Sequence, residues 1–153
     1  MIREITDIDK KRQISASILS ALPNWFGLPE STWEYIEQST SMPFWAAYDE
    51  NTAIGFVAMK QTGQCTAEIY VMGVLPSYHR SGTGRALYEA MEHYARELGC
   101  EFVQVKTVQM GRYLEYDHTN RFYRAMGFRE FECFPTLWDE WNPCQVYIKH
   151  IGK

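Results

Sequence analysis

The sequence predicts an α+β fold: an α/β/α sandwich whose central sheet is mixed but mostly antiparallel, with roughly six or seven strands and about four helices. Two features of the chain point there. Residues 43–49 and 53–60 (PFWAAYD and AIGFVAMK) are apolar runs joined by the polar turn DENT, and a second turn, QTGQ, leads into CTAEIYVMGV, so this stretch reads as consecutive hairpins. One strand–helix–strand passage follows, from CTAEIYVMGV through a long amphipathic helix to EFVQVKTV. That is one crossover, where a doubly wound sheet would repeat it. The 153 residues suit one domain spanning 1–153, without internal repeat, low-complexity tract or linker.

Residues 2–5 alternate Ile2 and Ile5 with charges and form a short first strand. A helix follows over 7–21, with Asp7 as its cap, Ile8, Ile14, Ile18, Leu19 and Leu22 on or near one face, and Pro23 as its end. A second helix starts near Ser31, with Glu34 as its capping-box partner. Between the two, Trp25 and Phe26 stand around Gly27 and Pro29, where they either plug the core or line a substrate mouth. In the strand at 65–74, alternation sets Thr66, Glu68, Tyr70 and Met72 on one face and Ala67, Ile69 and Val71 on the other, and Gly73 marks a bulge. The helix after it carries Leu87, Met91, Tyr94 and Leu98 on one apolar face, and Gly99 closes it in the left-handed conformation. Residues 109–117 lack a period and read as a loop; TNRFYRAMG is a short helix closed by Gly127. FREFECF is a strand, PTLWDEWNP a loop, and CQVYIKHI the last strand, whose KHIGK end is a candidate for pairing across a dimer.

Composition narrows the function classes. A net charge of -4 argues against a general nucleic-acid binder and favours cationic partners. No window approaches the roughly 20 apolar residues of a membrane span. The opening MIREITDIDKKRQ has no apolar signal core, which implies a cytoplasmic protein. The four cysteines (Cys65, Cys100, Cys133, Cys144) form no CxxC pair and have no histidine at zinc-finger spacing, so they read as buried reduced thiols and no metal is expected.

The chemistry concentrates where the strand hands over to the long helix. A glycine-bearing turn at a helix start exposes backbone amides at the positive end of the dipole, and here His79, Arg80, Ser81, Gly82, Thr83, Gly84 and Arg85 add cations and hydroxyls to it. The ligand class is a polyphosphate. Arg85 and Ala86 after Gly84 exclude a Walker loop, and Leu87 excludes the third glycine of a dinucleotide fingerprint. HRSGTG resembles the pyrophosphate loop of the GNAT superfamily of N-acyltransferases (Gln or Arg, x, x, Gly, x, Gly or Ala), with His79 at the Gln or Arg position. NRFYRAMGF resembles the same family's Asn, aromatic-Tyr, Gly-Phe pattern, and the likeness covers roughly residues 44–134.

That resemblance implies a GNAT sandwich, acetyl-CoA as co-substrate and an amine-bearing acceptor. By position, Asn120 contacts the acyl-CoA arm, Tyr123 lies near the thioester sulfur, and the strand edge at Met72, Gly73 and Val74 pairs with the pantetheine arm. An amine must be neutral to attack a thioester, yet its pKa lies near 10, so a nearby carboxylate is wanted. Glu68, in the stretch AEI, is the candidate base; Tyr123 is the candidate acid for the leaving thiolate. Backbone amides around Met72, Gly73 and Val74 are the source of an oxyanion donor. Each has a plainer reading: Glu68 as a solvated strand residue, Tyr123 as packing. Trp138 and Trp141, beside Asp139 and Glu140, form either an aromatic wall for a cationic amine or core. The expected activity is transfer of acetyl from acetyl-CoA to a primary amine by direct attack; the alternative is a GNAT-fold acyl-CoA sensor or interaction module without turnover. Either a monomer or a homodimer is compatible.

Overall fold

Alternating apolar segments pair into one seven-stranded sheet in the computed structural model, which describes residues 1–152 and leaves Lys153, the end of KHIGK, outside. The strands are β1 (Ile2–Glu4), β2 (Phe44–Asp49), β3 (Thr52–Gly63), β4 (Thr66–Val74), β5 (Phe102–Val108), β6 (Arg129–Asp139) and β7 (Asn142–His150). The helices are α1 (Ile8–Ser20), α2 (Pro29–Ser39), α3 (Thr83–Glu97) and α4 (Leu114–Ala125). Sheet order is β1-β2-β3-β4-β5-β7-β6. β4 and β5 run parallel, joined by α3; the other neighbouring pairs are antiparallel. No described helix is long and apolar enough to cross a membrane.

The sheet separates two apolar layers, because each strand sends alternate side chains to opposite faces. On one face Ile14, Ile18 and Leu19 of α1, with Leu22 just after it, lie against Phe44, Phe56 and Val71. On the other, Leu87, Tyr88 and Met91 of α3 and Tyr123 of α4 meet Val57, Ile69, Val103 and Tyr147. Asp7 caps α1 as expected, accepting from the Lys10 amide at 2.9 Å. Gly99 and Gly127 close α3 and α4 with φ of 86° and 99°.

Several expectations need correction. The bulge in β4 falls at Tyr70, not Gly73: Ala58 pairs with Val71 and Met59 with Ile69, so Tyr70 has no opposite number. Alternation flips there, which sends Tyr70 and Val71 to the α1 face and Met72 to the α3 face. Gly73 is small for another reason, since a Cβ would stand 3.1 Å from Ile18 of α1 and from Leu22 just after it. α2 starts at Pro29 without a side-chain cap, and Pro at its first turn replaces the expected capping box. α4 begins at Leu114, taking in part of the expected 109–117 loop. PTLWDEWNP is mostly strand: β6 runs to Asp139 and turns directly into β7, with the ladder interrupted between Phe134 and Asp139. β6, not β7, is the sheet edge, and its ladder with β7 reaches only to Ile148, so Lys149 and His150 pair with β5 alone. Leu98 is exposed, and Cys65 and Cys133 are exposed and half-buried, so only Cys100 and Cys144 are the buried thiols expected.

Candidate active site

β4 and β5 pair only from Thr66–Ile69 against Phe102–Val105. Beyond that point β4 continues along β3 to Val74 while β5 continues along β7 to Val108, so the two strands diverge into a slot. The Tyr70 bulge sits where they part and adds the local twist that a bulge brings. Residues 70–74, including Met72, Gly73 and Val74, have no strand on the β5 side, and their backbone polar groups there are available to an extended ligand.

At the end of β4 the chain makes a single turn of 3-10 helix, Pro76–Tyr78, and reaches α3. His79 is exposed; its Nε2 lies 2.7 Å from the Val74 carbonyl oxygen and its ring meets Trp25 edge-on at 5.8 Å. Arg80 and Gly82 both take left-handed backbone, φ 63° and 86°. Ser81 Oγ donates to the Tyr78 carbonyl at 2.5 Å and lies 2.7 Å from Thr83 Oγ1. Gly82 is the N-cap of α3 and offers no side chain, and the first intrahelical bond runs from the Ala86 amide to Gly82. The amides of Thr83, Gly84 and Arg85 therefore lack acceptors within the helix. A Cβ on Gly84 would stand 2.9 Å from Phe122 Cζ, so glycine lets α4 approach this helix end, and Arg85 reaches the Ala125 carbonyl at 3.4 Å. Bare amides, left-handed backbone and the exposed Arg80 fit a pyrophosphate.

Tyr123 of α4 is buried among Phe122, Phe128 and Tyr147, with ring centroids at 5.5, 5.8 and 6.2 Å. Burial first, then Tyr116 and Tyr35, push its phenol far above the ordinary tyrosine value, so it stays protonated. Its hydroxyl makes no hydrogen bond among the described residues, which leaves the proton free to be given. Asn120 turns its side chain into the protein. It is fully buried; its Nδ2 donates to the carbonyls of Val108 at 2.9 Å and Tyr116 at 2.6 Å, and its Oδ1 accepts from the Tyr147 hydroxyl at 2.5 Å. It ties α4 to β5 and β7.

Glu68 is buried on the α2 side of β4, and Lys106 Nζ of β5 donates to its Oε2 at 2.7 Å. Tyr35 of α2 packs edge-on against Tyr70 at 5.4 Å and Phe26 at 5.8 Å. The Tyr35 phenol is raised by burial, then by the charges of Glu68 and Glu34. Trp25 crosses from the α1–α2 loop to α4: its indole donates to Thr119 Oγ1 at 3.2 Å, and the Tyr116 hydroxyl donates to its carbonyl at 2.8 Å. Trp138 stands apart on the edge strand β6, 42% exposed.

The model of the acetyltransferase (GNAT) family matches residues 15–128. The chain belongs to the GNAT acetyltransferase family. Solved GNAT-fold structures superpose over nearly the whole chain. An aminoglycoside 6'-N-acetyltransferase in complex with coenzyme A matches with a TM-score of 0.79 at 19% identity, covering 99% of this chain and 97% of its own. The aminoglycoside 6'-N-acetyltransferase from Enterococcus faecium matches with a TM-score of 0.76 at 20% identity, over 99% and 97%. A protein from Salmonella typhimurium, solved with its cofactor acetyl-CoA, matches with a TM-score of 0.74 at 14% identity, over 99% and 93%. No curated protein sequence matches the chain significantly.

Within this GNAT fold the loop residues 79–85 and the β4 edge lie at one end of the slot, with Tyr123 on the helix that approaches the loop. Sequence reasoning passed over Lys106, Tyr35 and Tyr116. Lys106 had a signal: parallel pairing of AEI with FVQVK sets Gln104 opposite Glu68 and brings Lys106 to the same face. Nothing local marked Tyr35 or Tyr116, whose proximity depends on how α2 and α4 pack.

Proposed function

We propose that the protein transfers an acetyl group from acetyl-CoA to a primary amine by direct attack within a ternary complex. The observation that carries this reading is the slot between β4 and β5, which opens at the Tyr70 bulge beside the uncapped start of α3. The pantetheine arm pairs with the β4 edge at Met72, Gly73 and Val74, as an added strand would. The pyrophosphate lies on the amides of residues 82–85, with Arg80 and Arg85 beside it. The amine approaches from the side of Trp25, Phe26 and Glu68. Oε1 of Glu68, which has no partner among the described residues, takes the ammonium proton, and Lys106 holds the other oxygen in place. A β4 amide near Gly73 stabilises the oxyanion, and Tyr123 gives its proton to the leaving thiolate.

The test begins with melting curves in the presence of acetyl-CoA, CoA, ATP and NADP, followed by CoA-thiol release with a broad panel of amines that includes aminoglycosides. Acetyl-CoA and CoA are expected to raise the midpoint while ATP and NADP do not. Tyr123→Phe should lower kcat by about 100-fold and leave the acetyl-CoA stabilisation intact; Glu68→Gln should lower it by about tenfold or more. If acetyl-CoA leaves the midpoint unmoved, the reading is withdrawn. Stabilisation without thiol release from any amine would favour an acyl-CoA sensor instead.

A further inference from the structure

We infer that two copies of this chain form a homodimer in which their β6 strands lie antiparallel across a two-fold axis at Phe134. Acetyl transfer can hold or fail without touching this interface.

The two edges of the sheet differ. β1 is three residues long and carries Arg3 and Glu4, the short charged edge that resists pairing. β6 is eleven residues long, and every residue in it is exposed except the half-buried Cys133. Its ladder with β7 is broken between Phe134 and Asp139, so residues 135–138 have no strand partner on either side. Phe131, Leu137 and Trp141 are 63%, 54% and 70% exposed, and Phe134 and Trp138 are 37% and 42% exposed. These five side chains bare on the order of 500 Å² along one hairpin, at the large end of what a monomer leaves uncovered. Each partner in a stable interface contributes roughly 800 Å², so the row supplies more than half of it. β5 and β7 stand between β6 and the β4–β5 slot, which sets this row apart from the proposed cofactor path.

The strand's own pattern identifies the occupant. A two-fold contact needs a surface that complements itself. Laid antiparallel on a second copy about Phe134, Arg129 comes opposite Asp139 at both ends, Phe131 opposite Leu137, and Phe134 opposite its equivalent. Arg129 makes no ion pair among the described residues, whereas Arg124 is engaged by Glu130. Asp139 is fixed in place by the amides of Trp141 and Asn142, both at 2.8 Å. Moving the axis by one residue loses the match. Centred on Cys133, Arg129 meets Leu137; centred on Pro135, Glu130 meets Glu140 and repels it. About Phe134 no like charges of the strand are opposed, so this register is the one that joins apolar contact with charge pairing.

Sedimentation and light scattering across a dilution series from about 100 μM to about 1 μM test the dimer. The wild-type protein is expected at twice its 17.9 kDa chain mass at the top of the series. Leu137→Lys sets a charge against Phe131 of the other copy and should leave a monomer. Arg129→Glu should raise the dissociation constant by about tenfold, with the difference shrinking at high salt. Both changes are at exposed positions, and circular dichroism checks that the variants fold. The axis is tested by disulfide formation with oxidised glutathione in a Cys65→Ser, Cys133→Ser background. Phe134→Cys should cross-link two copies there, while Phe131→Cys, six residues from its equivalent in this register, should not. A monomer at every concentration overturns the inference. A dimer indifferent to both Leu137→Lys and Arg129→Glu uses another surface and overturns it too. Cross-linking by neither cysteine variant, or by both equally, overturns the axis at Phe134.

Discussion

Asn120 commits both amide protons to the carbonyls of Val108 and Tyr116 and its oxygen to the Tyr147 hydroxyl, and the bonds to Val108 and Tyr147 are buried. Asn120→Ala strands these partners in the interior, and unpaired buried polar groups are costly. The variant is expected to lose about 3 kcal/mol, seen as a lower urea midpoint at unchanged slope. A midpoint within error of the wild type would mean that the network does not hold α4 down. The residue was legible in NRFYRAMGF, but its burial was not, because a motif does not say that its helix lies against β5 and β7. Gly82 was legible in position, as a loop glycine, but its left-handed backbone was not. Its φ of 86° is a left-handed cap, and nothing stands within 4 Å of a Cβ placed there. Gly82→Ala therefore meets no clash and should cost only the backbone term, about 1 kcal/mol, measurable by the same unfolding curve.

α3 is fastened to β7 through one carboxylate. Glu92 accepts from the Tyr88 hydroxyl and from Lys149 Nζ, both at 2.7 Å, and from Arg96 at 3.2 Å, with 13% of its side chain exposed. Burial works to raise its pKa, but hydrogen bonds from Lys149 and Tyr88 outweigh that and bring it below the ordinary 4.5. The folded value thus lies under the unfolded one, so the tie stabilises fully above pH 4.5 and is lost as pH falls through the lower native value. Glu92→Gln should be about 2 kcal/mol less stable at neutral pH, with the two melting midpoints converging as pH drops below the ordinary carboxylate range. A constant gap across that range would mean that the carboxylate charge is not what holds the helix. At this scale α1, α3 and the first hairpins were readable from period and caps. The start of α4 was not, since Tyr113 gives no cap bond and Asp117 reaches back from inside the helix to the Gly111 amide at 2.7 Å. The far half of β6 was hidden by Pro135, which an edge strand tolerates because one of its sides needs no ladder.

The sheet has a weak seam. β1–β4 carry α1, α2 and α3, while β5 and β7 carry α4 and β6, and the two groups share a parallel ladder of only four residue pairs. Hairpin pairing and the single crossover made the strand content legible in the chain. The seam was not, because the glycine marked the bulge at Gly73 and unbroken alternation hid the divergence at Tyr70. On the proposed function, acetyl-CoA occupies this slot and bridges the two groups where the backbone does not. A ligand bound only to the folded state, at 100 times its dissociation constant, adds about 2.7 kcal/mol. Hydrogen exchange should then slow most at those amides of residues 70–74 that face away from β3 and at 83–85, the open side of β4 and the start of α3, which lack strand or helix partners in the free chain. The remote hairpin of β6 and β7 should slow only as much as global stability rises. Uniform slowing, with no excess at those two segments, would place the ligand elsewhere and remove the slot from the mechanism. Excess at 83–85 alone would keep the phosphate site and remove the β4 edge as the seat of the pantetheine arm.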